Sequence, residues 1–166
     1  MDLDTLLALL VFVVANVATA ASGALFKPGN WYEGLNHPSF RPPNWLFGPV
    51  WTVLYCMIAA AGFLVWREAG WSGAALPLAV YFAHLVLNFA WSALFFGARR
   101  PDWAFWEVIA LWMSIVATIA VFAPLSTVAA WLLVPYLAWV SFAGFLNWAL
   151  WRLNPQVLPG PDGAQR

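Results

Sequence analysis

The sequence predicts an all-α integral membrane protein, a five-transmembrane-helix bundle, and three observations carry that expectation. Hydrophobic residues fill 64% of the 166 positions and charged residues only 8%, with a mean hydropathy of +0.77, whereas a soluble domain carries about 25% charged residues. Five apolar windows each approach or exceed the roughly 20 helical residues needed to cross a bilayer. One long connection and then short ones join them, which is the connectivity of an up-and-down bundle with antiparallel neighbours.

The first window covers approximately residues 3–25. Its Ala18-Thr19-Ala20 resembles a small-residue cleavage site. A signal peptide opens with basic residues, however, and this segment opens with Asp2 and Asp4, so it is read as a span. The connection at residues 26–44 cannot be one regular element, because Pro38, Pro42 and Pro43 remove backbone donors and push their neighbours toward extended geometry. It also carries Trp31, Tyr32 and Phe40. A proline-stiffened aromatic segment loses little entropy on ordering and suits a lid. The remaining windows are approximately 45–66, 76–97, 103–123 and 128–150, and Pro135 is expected to kink the last. One domain, residues 1–153, therefore holds all five helices, and residues 154–166, rich in proline and glycine, read as a flexible tail.

Alternating helices put Lys27, Arg41, Arg99, Arg100, Arg152 and Arg166 on one side of the membrane and only Arg67 on the other. The excess of basic residues predicts that the first loop and the C-terminus are cytoplasmic. Helical spans favour an inner over an outer bacterial membrane. The lone Cys56 excludes an intrachain disulfide or thiolate metal cluster. Neither a metal site nor a nucleic-acid partner is expected.

At about 1.5 Å per helical residue, Trp51 and Trp91 lie about 9 Å below the loop, Asn88 about 14 Å, Trp139 about 16 Å and His84 about 20 Å. His84, Asn88, Trp91 and Phe95 share one helix face, as do Pro135, Trp139, Phe142 and Leu146, with Trp51 and Tyr55 forming a third aromatic stripe. These faces describe a deep pocket with a few fixed polar groups beneath the loop. Most of the thirteen tryptophans fit interfacial belts; Trp51, Trp91, Trp112 and Trp139 lie deeper, where packing and ligand contact both remain open. Asn88 and His84 would be costly in hydrocarbon without a partner, which is either another helix or a ligand. Glu107, an acid one turn inside the fourth helix, is either a functional intramembrane group or, as expected this close to the interface, an ion-pair partner of Arg99 or Arg100. Ala75, Ala79 and Ala83 form a small-residue ridge that suits close helix approach, in a homodimer or within the bundle.

The run Trp31-Tyr32, Leu35, Pro38, Phe40, Pro42-Pro43, Trp51, Leu54-Tyr55, then Asn88, Trp91, Phe95-Phe96-Gly97, then Pro135-Tyr136, Trp139, Ala143, Leu146-Asn147 resembles the TspO/MBR family of tryptophan-rich sensory proteins and translocator proteins. The resemblance covers roughly residues 6–152. It implies a five-helix bundle, usually homodimeric, that binds tetrapyrroles such as protoporphyrin IX and haem, and in some members sterols and synthetic benzodiazepine-site ligands. It places Ser22, Trp51, Tyr55, Asn88, Trp91 and Trp139 in the pocket and ties Trp51 and Trp139 to light-driven porphyrin breakdown. Together with the stripes, the candidate ligand-binding set is Ser22, Trp31, Phe47, Trp51, Tyr55, His84, Asn88, Trp91, Phe95, Trp139 and Phe142.

The chain departs from the family pattern at His37, where Lys or Arg is common, and at His84, where Gln is common. A sterol motif would need a tyrosine between Leu146 and Arg152, where Trp148 and Trp151 stand instead, so no cholesterol binding is expected from it. The expected function is a membrane receptor or sensor for tetrapyrroles, with light-dependent protoporphyrin degradation as its one candidate chemistry. The alternative is a sterol or small-lipid binding or transport protein without chemistry. A nucleophile dyad is absent from the sequence, so any reaction draws on the bound pigment and the indoles, and no obligatory cofactor is expected.

Overall fold

A computed structural model describes residues 2–157. Its helices are α1 (Leu3–Ala20), α2 (Ser22–Leu25), α3 (Asn30–Glu33), α4 (Asn44–Gly73), α5 (Ala75–Ser92), α6 (Pro101–Phe122), α7 (Thr127–Leu132) and α8 (Val134–Leu153). They build five segments long and apolar enough to cross a membrane: Leu3–Leu25, Asn44–Gly73, Ala75–Gly97, Pro101–Phe122 and Thr127–Leu153. The protein is an all-α integral membrane protein, with α2 completing the first span and α7 and α8 together forming the fifth.

Local chemistry sets the ends of these elements. Asp2 caps α1, its carboxylate accepting the Thr5 N–H at 2.8 Å. Pro101 starts α6 where a missing N–H costs nothing, and Asp102 stands in the first turn, where the helix dipole favours an acid. Ser126 caps α7 through the Ala129 N–H. The fifth span breaks at Leu133, and Pro135 sits in the first turn of α8. The third span ends in a π-helical turn, Ala93–Gly97, in which the Ala98 N–H reaches back to the Ala93 carbonyl. The second span runs well past residue 66 to Gly73, with Gly70 at φ +65° bending it near its end.

The core is a chain of interlocked rings and aliphatic side chains. Phe12 of α1, Ile58, Ala61 and Val65 of α4, Tyr81 of α5, and Ile115 and Phe122 of α6 are fully or almost fully buried at its centre. Gly62 of α4 lies directly against the Phe12 and Tyr81 rings. A Cβ there would lie 2.7 Å from Phe12 Cδ1 and 2.8 Å from Tyr81 Cζ. Toward the first loop, Val13 and Val17 of α1 and Cys56 and Ala60 of α4 are exposed and line a cavity.

A second apolar cluster forms at the loop end, where Tyr32 and Leu35 pack with Phe95, Ala104, Leu146 and Leu150. The loop is thereby seated into the bundle. It is also bolted to the end of α8: the Asn36 N–H donates to Asn154 Oδ1 at 2.8 Å, and Asn154 Nδ2 donates to the Asn36 carbonyl at 3.0 Å. Asn154, expected at the root of a flexible tail, is instead 1% exposed and structural, and Pro155–Val157 form a 3-10 turn. The rest of the expected tail lies outside the described residues.

Candidate ligand cavity

Beneath the loop lies a cavity of about 760 Å³, walled by all five spans. Cavities of this size hold compact organic ligands. Phe47, Trp51 and Tyr55 of α4 contribute one wall, Asn88, Trp91 and Phe95 of the third span another, and Trp139, Ala143 and Asn147 of α8 a third. Tyr32 closes it from the loop, and Ser22 lies where the first span ends.

The aromatic wall is built from ring pairs. Trp51 stacks on Tyr55 at 5.4 Å between centroids and meets the edge of Tyr136 at 6.2 Å. Trp91 stacks on Phe95 at 5.1 Å, and Phe47 meets Trp139 edge-on at 5.7 Å. Such offset and edge-to-face pairs fix each ring in orientation.

The polar groups of the wall are largely tied to one another. Tyr55 Oη donates to Asn88 Oδ1 at 2.7 Å, and Asn88 Nδ2 donates to Tyr136 Oη at 2.7 Å, so one amide joins three helices. Trp91 Nε1 donates to Asn147 Oδ1 at 3.1 Å, and Asn147 Nδ2 donates to the Pro101 carbonyl at 2.8 Å. Ser22 Oγ meets Ser92 Oγ at 3.1 Å. Among the described residues, two buried atoms on the wall have no partner: Trp139 Nε1, a donor, and Asn16 Oδ1, an acceptor.

Of the sequence-derived candidates, Ser22, Phe47, Trp51, Tyr55, Asn88, Trp91, Phe95 and Trp139 lie on the cavity wall. Three do not. His84 is fully buried behind the wall, 5.1 Å from the Tyr81 ring and 5.8 Å from Tyr136. Asn88, Trp91 and Phe95 of that helix face reach the cavity, whereas the Tyr136 ring from α8 stands against the His84 imidazole. Trp31 packs on the edge of Phe95 at 5.9 Å and braces the wall from behind. Phe142 contacts Phe40 and Trp139 rather than the cavity.

The structure also adds Asn16, Tyr32, Ser92, Phe96 and Asn147 to the wall. For Asn16 and Asn147 the signal was available, since each is an amide inside an apolar window. Trp112 faces outward instead, its Nε1 donating to Ser141 Oγ at 2.8 Å beside a smaller groove of about 260 Å³ between α6 and α8. The expected Glu107 ion pair is absent. Arg100 turns to Asp102, with Nε to Oδ1 at 2.8 Å, and both Glu107 oxygens are buried without a partner among the described residues. Asp102 is two residues along the chain from Arg100 at the mouth of α6, whereas Glu107 is more than a turn further in.

Above the cavity, Arg41 stacks over Tyr32 at 4.8 Å and pairs with Glu33 at 3.6 Å. His37 meets the Tyr32 ring at 4.9 Å. Burial, reinforced by the Arg41 guanidinium, holds the His37 imidazole below its ordinary pKa range.

Five spans around one aromatic cavity, roofed by a stapled loop, define a helical membrane protein with a ligand-sized space in its core. Residues 7–152 match the TspO/MBR family. The chain is 43% identical to the translocator protein of Homo sapiens over 126 residues, 75% of each chain. It is 42% identical to the tryptophan-rich protein TspO of Chlorobaculum tepidum over 152 residues, 90% of this chain and 96% of that one. It is 41% identical to the tryptophan-rich sensory protein of Cereibacter sphaeroides over 145 residues, 87% and 90% of the two chains. The chain belongs to the TspO/MBR family.

Proposed function

We propose that this membrane protein is a receptor for tetrapyrroles, protoporphyrin IX and haem, and that Trp51 and Trp139 support light-dependent breakdown of bound porphyrin. The observation that carries the reading is the wall itself. Three indoles and the rings of Tyr55 and Phe95 face a single 760 Å³ space, while the amides of Asn88 and Asn147 are spent on holding those helices together. Such a site rewards a broad, flat, mostly apolar ligand. Chemistry, where it occurs, starts from the excited pigment, because an indole beside it is readily oxidised and a phenylalanine is not.

Titration of the purified protein with protoporphyrin IX in darkness, followed by illumination, tests both halves. Trp51→Ala, Trp139→Ala and Asn88→Ala should each weaken quenching of tryptophan fluorescence severalfold, whereas Trp148→Ala, on the outer face, should not. Trp51→Phe and Trp139→Phe should keep most binding and lose most light-driven porphyrin loss. Equal loss in wild type, both Phe variants and heat-denatured protein would end the enzymatic half. Equal weakening by the outer and inner alanines would end the binding half.

The second reading, binding of a sterol or other small lipid without chemistry, is favoured by one feature. The cavity wall between α1 and α4 is apolar, with Leu9, Val13, Val17, Cys56, Ala59 and Ala60 lining it, which suits an aliphatic or sterol body.

A further inference from the structure

A line of rings leaves the cavity and crosses the bundle. Trp51, on the wall, meets the Tyr136 ring at 6.2 Å, and Tyr136 meets His84 at 5.8 Å. His84 meets Tyr81 at 5.1 Å, Tyr81 meets Phe12 at 5.6 Å, and Phe12 stacks on Trp71 at 5.7 Å. Trp66 lies 6.0 Å from Trp71. Trp51 stands near the start of α4, beneath the loop, whereas Trp71 is near the other end of the same helix and 46% exposed. The line therefore runs from the enclosed cavity to the opposite end of the span.

Packing alone would be served by any large apolar rings, and this line has more than packing requires. The indoles of Trp51, Trp71 and Trp66 and the phenols of Tyr136 and Tyr81 all give up an electron far more readily than phenylalanine does. Successive members of this set touch, or are separated by one further ring, His84 or Phe12. A phenol that loses an electron must also release its proton, so it needs a base nearby. Tyr136 Oη accepts from Asn88 Nδ2 and Tyr81 Oη accepts from Asn16 Nδ2, which leaves both hydroxyl protons without an acceptor among the described residues. His84 lies between the two phenol rings, fully buried, and neither of its nitrogens has a partner among the described residues. An apolar side chain would fill that place without burying unpaired polar atoms.

We propose that this line is a relay for oxidising equivalents, which carries a one-electron vacancy from Trp51 to Trp71 and Trp66, where a water-soluble reductant of the ascorbate or thiol class fills it. The inference rests on the reading that excited pigment oxidises Trp51. Trp51 gives one electron to the excited pigment, which passes it to dioxygen. Tyr136 returns an electron to Trp51, and its O–H proton moves to His84. Tyr81 then reduces Tyr136 and gives its own proton to His84 as Tyr136 takes one back. Trp71 reduces Tyr81 through Phe12, the phenol recovers its proton from His84, and the exposed indole draws an electron from the reductant. Trp51 is thereby restored for another turnover.

The test uses the full chain in nanodiscs without dioxygen, with a cobalt(III) ammine as the irreversible electron acceptor. In one arm a ruthenium tris-bipyridine photo-oxidant is attached to Cys56, which lines the cavity. In the other arm protoporphyrin IX is bound to the unlabelled protein. After illumination, radicals are trapped with the nitrone DMPO and mapped by peptide mass spectrometry. Trp131 is the control, because it is 68% exposed at the start of the fifth span and lies off the line, so a diffusing oxidant would mark it at least as readily as Trp71. In the labelled protein, adducts at Trp66 and Trp71 should exceed those at Trp131 at least fivefold, and external ascorbate should erase them. Tyr136→Phe and Tyr81→Phe keep the rings and remove the oxidisable hydroxyls, and each should lower those adducts at least fivefold. Adducts at Trp131 equal to those at Trp71, none at Trp66 or Trp71, or yields unchanged in both tyrosine variants would overturn the relay. Adducts lost in the protoporphyrin arm alone sink the tetrapyrrole reading and leave the relay standing. Light-driven porphyrin loss that depends on Trp51, with no adducts at Trp66 or Trp71 in either arm, sinks only the relay.

Discussion

His37 shows how a single side chain can set a condition on the loop. Its imidazole is disfavoured as a cation by burial and by Arg41, with Glu33 as the nearby acid. A loop lifted into water would return the imidazole to its ordinary range, near 6.5. The seated loop is thus fully favoured above about pH 6.5 and loses that advantage as pH falls from there through the lower, seated value. Limited proteolysis of the loop should accelerate between pH 7.5 and pH 5.5 in wild type, and the change should flatten in His37→Gln; equal pH response in both proteins would contradict the account. At this scale the sequence was informative where cost was local. Asn88 stood out because an amide in hydrocarbon needs a partner anywhere in the bundle. His84 stood out for the same reason, but whether it faces a cavity depends on the Tyr136 ring, contributed from 52 positions further on. Asn16 was passed over because one amide does not disturb the hydropathy of a long apolar window.

The elements were legible in number and order, and less so at their ends. The second apolar window stops at Arg67 because charge marks the edge of the hydrocarbon, but backbone hydrogen bonding continues in the interface and carries α4 to Gly73. The loop was legible as stiff and aromatic, whereas its staple to α8 pairs residues 118 apart. That staple makes a prediction. Asn154→Ala removes the two hydrogen bonds that join the loop to α8, worth about 1 kcal/mol each, together with a third to the Leu150 carbonyl within α8. Amide exchange across residues 30–41 should rise about tenfold or more, and ligand dissociation should quicken, while the helices keep their protection. Unchanged exchange in the loop would show that Tyr32 and Leu35 hold it without the staple.

For the whole molecule, two proposals follow from how the bundle presents itself to the membrane. The loop and the end of α8 share a face, and Lys27, Arg41, Arg99, Arg100 and Arg152 gather there, so we place that face in the cytoplasm. In a Cys56→Ala background, a membrane-impermeant maleimide applied to intact cells should label Ser72→Cys and not Ser39→Cys; the opposite pattern reverses the orientation. Ala75, Ala79 and Ala83 are exposed along α5, leaving a shallow strip where a second copy can approach closely, and we propose a homodimer through it. Light scattering of the detergent-solubilised protein should give a dimer that Ala79→Phe converts to monomer. A dimer indifferent to that change must use another face.

The position of the cavity among five membrane spans also bears on what a binding constant for this protein means. A ligand that reaches the cavity from the bilayer is drawn from the pool dissolved in lipid, and each methylene group moves about 0.8 kcal/mol of its partitioning toward that pool. Two ligands with identical contacts to the protein would then differ in apparent aqueous affinity by their oil solubility alone. Doubling the lipid in a sample would dilute the pool and weaken apparent binding with no change in the protein. The intrinsic quantity is therefore a mole fraction in the bilayer at half-occupancy, and variants are comparable only at a common ratio of lipid to protein.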